Sequence, residues 1–190
     1  MSTMFQGASK FNGNISGWDT AIVTRKSAIF PGATEFEYDI SRWDTAGVTD
    51  MSYMFGGGYK FNGTISGWDT AVVTNMAAMF PGETAFDCDI SSWNTAGVTD
   101  ISAMFQGATE FNGYFSRSNF NGSISSLNTA SVTDLSAMFY ETSEFDYDIS
   151  SWDTIFITDM SVMFKEHRFS MVISLLEYSW CNRHDCHLRT

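Results

Sequence analysis

Residues 36–60 read FEYDISRWDTAGVTDMSYMFGGGYK, and the flanking stretches repeat this phrase with few changes. Tryptophan and phenylalanine recur at a spacing of 25 residues. These positions are Trp18, Trp43, Trp68 and Trp93, and Phe5, Phe30, Phe55, Phe80 and Phe105. Similarity at a fixed period of this length is typical of repeat architectures. We therefore predict a repeat protein.

The repeat pattern also divides the chain. About seven units of 25 residues occupy residues 1–164, and their register slips once at an insertion near residues 112–120. Residues 165–190 leave the pattern and are interpreted as a cap or tail. Residues 11–24 match 61–74 better than they match the unit between them, which indicates that units were copied in pairs.

The pattern within a unit predicts its secondary structure. Residues 39–43 combine β-branched and aromatic side chains, which favour a short strand. Val48, Met51, Met54 and Phe55 follow at helical spacing. We therefore expect a right-handed leucine-rich-repeat-like solenoid, with one short parallel β-strand and one short helical turn in each 25-residue unit.

Methionines follow the repeat as well. Met51 and Met76 share one repeat position, and Met54 and Met79 share another. A metal-binding methionine cluster is the alternative, but a ladder of flexible apolar side chains in the core fits the pattern better. Cys88 occupies a position that elsewhere holds tyrosine, so we expect it to be packed.

Composition excludes several classes of protein. Hydrophobic residues make up 44% of the 190 residues, which excludes a wholly disordered chain. The net charge of −12 argues against nucleic acid and anionic membranes as partners, and no apolar run is long enough for a transmembrane span. The repeats contain no histidine and no nucleophile elbow, so we expect no enzymatic activity.

The phrases FNGxISGWDTAxVT and VTDMSxMFxGAxxF resemble the BspA-type leucine-rich repeats of microbial surface proteins, over residues 1 to about 164. The resemblance implies a non-catalytic protein-interaction or adhesion module of a surface or secreted protein, and hence an extracellular or cell-surface location. The sequence shows no targeting segment of its own. Two alternatives stay open: a structural or linker subunit that joins a larger assembly of proteins through its coil ends, and a glycan-binding solenoid.

The predicted contact face is a column of polar residues on the expected strands. Its members are Ser16, Ser41, Arg42, Ser66, Ser91, Ser125 and Ser150. The insertion is a second candidate, because it breaks the symmetry of the repeat.

Aspartates form columns of their own, in which Asp19, Asp44, Asp69 and Asp153 each follow a tryptophan. They are interpreted as caps of turns, and Ca²⁺ binding between them is the alternative. The sequence contains no compact D-x-D-x-D-G loop, which argues against calcium, and no other cofactor is expected.

Two further groups of residues carry modification or metal chemistry. Asn14, Asn62 and Asn121 begin acceptor sequons for glycosylation, although Asn-Gly is also a common turn dipeptide. In the tail, Cys181, His184, Cys186 and His187 are compatible with a disulfide, a zinc site or a disordered end. The sequence does not decide among these three.

Overall fold

The computed structural model describes residues 1–57, 61, 63–82, 88–107, 124–142 and 149–165. Within these ranges, successive units lie side by side and are joined by backbone hydrogen bonds. For example, the N–H groups of Ala28 and Phe30 donate to the carbonyls of Ser52 and Met54 at 2.8 and 2.9 Å. Parallel bridges of one residue pair each connect Arg25, Asp50, Asn75, Asp100, Asp134 and Asp159 in succession.

The predicted leucine-rich-repeat-like solenoid of strands and helical turns is wrong. In the ranges given above, the one regular element is the 3-10 helix Ile124–Ser126, and β pairing does not extend beyond the isolated bridges. The units are instead strings of tight turns. The insertion near residues 112–120 and the tail after Lys165 lie outside the described residues.

The segment predicted as a strand, residues 39–43, forms a turn. The N–H of Trp43 donates to the carbonyl of Ile40 at 3.0 Å, which closes a four-residue turn. The same bond joins Trp68 to Ile65 at 3.1 Å. The β-branched and aromatic residues of this segment, Ile40 and Trp43, are buried in the core, so their presence reflects burial and not an extended backbone.

The segment predicted as a helical turn, from Val48 to Phe55, is not helical. In a helix each N–H bonds to a carbonyl four residues earlier. Here the N–H groups of Tyr53 and Phe55 donate to Ala77 and Met79 of the next unit. Tyr53 has φ 53° and Gly57 φ 67°, so left-handed residues interrupt any helix. The apolar residues therefore have a helical spacing in the sequence, although the backbone follows a series of turns.

The apolar repeat positions form the core between the units. The rings of Phe30, Phe55 and Phe80 stack with centroid separations of 5.7 and 5.4 Å. The predicted methionine ladder is confirmed at the buried residues Met51, Met54, Met76, Met79, Met104, Met138 and Met163. Cys88 is buried, as expected.

A ladder of buried threonines connects the units through side chains. The hydroxyl of Thr20 donates to the carbonyl of Asp44 at 3.1 Å, and that of Thr70 donates to Asn94 at 3.0 Å. Thr45 is equally buried, but its hydroxyl has no partner among the described residues.

Among the residues that the structure describes, no helix is long and apolar enough to span a membrane.

Candidate functional site

Each unit has a second tight turn, and the residue at its tip is exposed in five of the six units. The N–H of Val23 donates to the carbonyl of Thr20, and that of Val73 to Thr70, both at 3.0 Å. The third residue of each turn lies at its tip. These tip residues, here called the turn column, are Ile22, Gly47, Val72, Gly97, Ser131 and Phe156.

The turn column contains large apolar side chains that face solvent. Ile22 is 92% exposed, Val72 47% and Phe156 63%, and Ile155 beside Phe156 is 59% exposed. Gly47 lies between Ile22 and Val72, and a side chain there would meet no atom within 4 Å. The column therefore carries apolar tips at Ile22, Val72 and Phe156, with an open space at Gly47 between the first two.

The predicted contact face lies in the first turn of each unit and not on a strand. Its members are half-buried (Ser16, Ser41, Ser66 and Ser125) or exposed (Arg42, Ser91 and Ser150). Whether this face binds a partner stays a prediction.

Part of the predicted contact face also stabilises its own turns. The Ser16 hydroxyl donates to Oδ1 of Asn14 at 2.8 Å. The backbone N–H of Ser41 donates to Asp39, and that N–H, together with the Ser41 hydroxyl, lowers the pKa of the Asp39 carboxyl. Ser91 lowers the pKa of Asp89 in the same way. The serines therefore have a local structural role whether or not a partner contacts them.

The interpretation of the aspartate column as turn caps is confirmed. Oδ1 of each aspartate accepts the backbone N–H two residues later, at 2.9 to 3.1 Å. The four pairs are Asp19 with Ala21, Asp44 with Ala46, Asp69 with Ala71, and Asp153 with Ile155. Asn94 caps Ala96 through the same contact, so the turn does not require a negative charge.

Metal and modification sites have little support in the described ranges. These ranges contain no group of three or more His, Cys, Asp or Glu residues that could hold a metal ion. Calcium binding by the aspartate column therefore stays a prediction. Asn14 is exposed, and its side chain accepts the N–H of Ser16 at 3.0 Å. Asn62, Asn121 and the cysteines and histidines of the tail lie outside the described residues.

Sequence reasoning missed a buried lysine. Lys26 is fully buried at the position that Met51 occupies in the next unit. Its Nζ donates to the carbonyls of Asp44, Val23 and Thr20 at 2.8, 3.3 and 3.4 Å. Burial lowers the pKa of Lys26 to about 8, against an opposing effect of the Asp44 charge. Aligning the units would have shown the lysine among apolar residues, in the column Met1, Lys26, Met51, Met76, Ile101, Leu135 and Met160.

A family model described as a Mycoplasma protein of unknown function, DUF285, matches residues 1–69, 40–119 and 113–184. No curated protein and no solved structure matches the chain. The three family matches overlap and together span residues 1–184, which agrees with the repeated sequence and with the hydrogen bonds between units. The chain is therefore a repeat protein that belongs to the DUF285 family, whose function is unknown.

Proposed function

We propose that the chain is a non-catalytic protein-interaction module, and that it binds its partner through the turn column. The exposure of Ile22, Val72 and Phe156 at the turn tips carries this proposal. When a partner covers these exposed apolar side chains, the free energy of the complex falls by about 25 cal/mol per Å² of apolar surface buried.

The apolar tips are not needed for folding. Gly47, Gly97 and Ser131 occupy the same position in other units, and their turns close with the same hydrogen bond. Because glycine and serine satisfy the turn, the isoleucine, valine and phenylalanine contribute little to the core. A role in binding accounts for their presence.

The turns that carry these tips are held in place from within. Asp19 and Asp69 cap the turns, and the buried hydroxyls of Thr20 and Thr70 bind the neighbouring unit. A surface that is already ordered loses less conformational entropy on binding than a flexible loop. This rigidity favours recognition of another protein.

The resemblance to BspA-type repeats supports the adhesive part of the proposal. It favours a surface or secreted protein, located outside the cell, whose partner is another protein. The glycan-binding alternative is less well supported, because sugar binding usually relies on exposed aromatic rings, whereas the tips Ile22 and Val72 are aliphatic. The exposed rings of Trp18, Tyr53 and Phe156 lie at three different repeat positions and form no column of their own.

Binding to immobilised fibronectin, laminin and collagen tests the proposal, with heparin and mannan as glycan probes. The test variant replaces Ile22, Val72 and Phe156 with serine, because another unit carries a serine, Ser131, at the same position of its turn. The control variant replaces Tyr53 and Val162, which are 45% and 49% exposed but lie outside the turn column.

We expect saturable binding to at least one of the three proteins, a loss of about tenfold or more in the test variant, and no loss in the control. Equal unfolding midpoints of the three chains would show that the fold is intact. Binding to none of the proteins, binding to glycans alone, or equal affinity of the test variant would each contradict the proposal.

A further inference from the structure

The turn column lies between two rows of aspartates that run along the same units. An aspartate occupies the position three residues before the tip in four of the six units, and the position three residues after it in four of the six. We call these eight side chains the acidic borders. The first border consists of Asp19, Asp44, Asp69 and Asp153, and the second of Asp50, Asp100, Asp134 and Asp159.

The acidic borders keep their places because the units stack closely beside the turn column. The N–H of Thr49 donates to the carbonyl of Thr24, and that of Thr74 to Thr49, each at 2.9 Å. The same bond recurs in every later unit, and parallel bridges join the positions of the second border from Arg25 to Asp159. Backbones paired in this way lie about 4.8 Å apart, so tips and aspartates repeat at about that interval.

Little positive charge balances the acidic borders. The six segments that run from one border to the other contain eight aspartates and one basic residue, Arg25. Lys26 follows Arg25, but it is buried and its Nζ donates to backbone carbonyls. The surface on both sides of the turn column is therefore strongly negative. The segments are residues 19–25, 44–50, 69–75, 94–100, 128–134 and 153–159.

One oxygen of each border aspartate is free to bind a cation of a partner. Oδ1 accepts the backbone N–H two residues later, at 2.7 to 3.1 Å, whereas Oδ2 accepts no hydrogen bond from the described residues. The first border is exposed and the second is half-buried. A lysine or arginine can therefore donate to Oδ2 without displacing the cap of the turn.

Apolar surface lies between these charges. Val72 belongs to an inner unit with neighbours on both sides, and it is nevertheless 47% exposed. Ile22 and Phe156 are 92% and 63% exposed. A partner that covers these tips also approaches the aspartates on both sides, so the charge of the partner decides whether it is attracted or repelled.

We propose that the partner of the turn column is a basic protein surface, in which a row of apolar side chains is bordered on both sides by lysine or arginine. This inference rests on the proposed function and adds the chemistry of the partner. The apolar row covers the tips, while the cationic side chains bind Oδ2 of the aspartates. An acidic partner with the same apolar row is disfavoured, because like charges would meet along both borders.

Two synthetic helical peptides test the charge of the partner. Both carry the same stripe of leucines, which lysines border in one peptide and glutamates in the other. About 18 residues form a helix about 27 Å long, similar to the length of six turns stacked about 4.8 Å apart. Fluorescence anisotropy of each labelled peptide, titrated with the full chain at about 50 and 300 mM NaCl, measures the dissociation constants.

A border variant removes charge from the aspartates that precede the three apolar tips. Asparagine keeps the cap, since Asn94 caps its own turn at 3.1 Å. The substitutions are Asp19→Asn, Asp69→Asn and Asp153→Asn. The serine variant of the three tips is measured beside it.

A charge control removes the same number of charges from exposed positions outside the acidic borders. The substitutions are Glu37→Gln, Asp39→Asn and Asp89→Asn. Asn14 caps its turn at the position that corresponds to Asp39, so asparagine is compatible with that turn as well. The control thus has the same net charge as the border variant.

We expect the lysine peptide to bind saturably. Its affinity should fall about tenfold or more in the border variant, in the serine variant and at the higher salt concentration, and should change little in the charge control. The glutamate peptide should bind about tenfold more weakly than the lysine peptide, or not at all.

The outcomes separate this inference from the proposed function. Equal binding of the two peptides, or equal losses from the border variant and the charge control, would overturn the inference alone. A lack of binding of the lysine peptide up to about 1 mM would do the same, because fibronectin, laminin and collagen test the proposed function independently. Full binding of the lysine peptide by the serine variant would show that the tips are not the contact, and would overturn both.

Discussion

The first and third units carry nearly the same sequence in different surroundings. Residues 11–24 read FNGNISGWDTAIVT, and residues 61–74 read FNGTISGWDTAVVT. In the third unit Trp68 is buried between neighbours and its indole N–H reaches Ile40, whereas in the first unit Trp18 is 41% exposed. The same residues thus reach different degrees of burial.

The backbone of the two units nevertheless agrees. The N–H of Trp18 donates to the carbonyl of Ile15 at 3.1 Å, and the N–H of Trp68 donates to the carbonyl of Ile65 at the same distance. Local conformation therefore follows from the sequence of a unit, while burial depends on the unit next to it. This division is expected where stability is a sum of units and of the interfaces between them.

Replacing the two tryptophans should give the largest difference between the units. Trp68→Ala removes a ring that is 3% exposed, and should lower the free energy of unfolding by about 3–5 kcal/mol. Trp18→Ala removes a ring that already faces solvent on one side, and should cost about 1–2 kcal/mol. Guanidinium denaturation followed by circular dichroism measures both.

Equal losses from Trp18→Ala and Trp68→Ala would contradict the division between local conformation and burial. They would mean that the first unit is covered in solution. The Trp68→Phe variant serves as a control, because it keeps an aromatic ring in the stack and should lose less than Trp68→Ala.

Lys26 and Met76 follow the two matching segments and give the second contrast. The lysine is fully buried, and burial lowers its pKa to about 8 from 10.5, so the buried charge destabilises the folded chain at neutral pH. Lys26→Met introduces the residue that the third unit carries as Met76. It should stabilise the chain at pH 7 by about 1 kcal/mol, because the loss of three hydrogen bonds to carbonyls offsets much of the gain.

The pH dependence of the Lys26 effect has a definite sign. Because the pKa is lower in the folded state, the unfolded chain binds more protons between pH 8 and 10.5. The stability of the wild type should therefore rise through this window relative to Lys26→Met, and the advantage of the variant should shrink. Lys10→Met, which changes an exposed lysine, should show no such convergence. A constant difference from pH 7 to 10.5 would contradict burial of a charged Lys26.

Sequence analysis predicted the core well and the backbone poorly, for one physical reason. The repeating Phe, Trp, Ile and Met positions must be apolar in any stacked array, so their burial follows from the period alone. The spacing of Met51, Met54 and Phe55 fits a helix equally well. Only the left-handed residues Tyr53 and Gly57 distinguish the observed turns, and tyrosine gives no signal for such a conformation.

The turn column was missed in the sequence for a related reason. The polar serine column was favoured because it was expected on a strand. The turn column appears in the sequence only as a variable position two residues after a repeated threonine. Its significance depends on exposure, which periodicity does not reveal. Lys26, in contrast, was visible in the sequence, since a lysine in a column of apolar residues is a departure that alignment of the units exposes.

The aspartates at the same position of the two units should give the smallest difference. Oδ1 of Asp19 caps Ala21 at 3.1 Å and Oδ1 of Asp69 caps Ala71 at 3.0 Å, so both bonds are local to their own turn. Asp19→Ala and Asp69→Ala should each lower the free energy of unfolding by about 0.5–1 kcal/mol, with no difference between the outer and inner unit.

The asparagine variant separates capping from calcium binding at these aspartates. Asn94 caps its turn at 3.1 Å without a charge, so Asp69→Asn should keep most of the stability that Asp69→Ala loses. If calcium instead bound between the columns, millimolar calcium would raise the melting temperature of the wild type, and Asp69→Asn would reduce that rise. We expect equal melting temperatures with and without calcium, because the described residues contain no group of three or more His, Cys, Asp or Glu side chains that could hold the ion together. A calcium-dependent rise would mean that the aspartates act across units, as Trp68 does, and not within one.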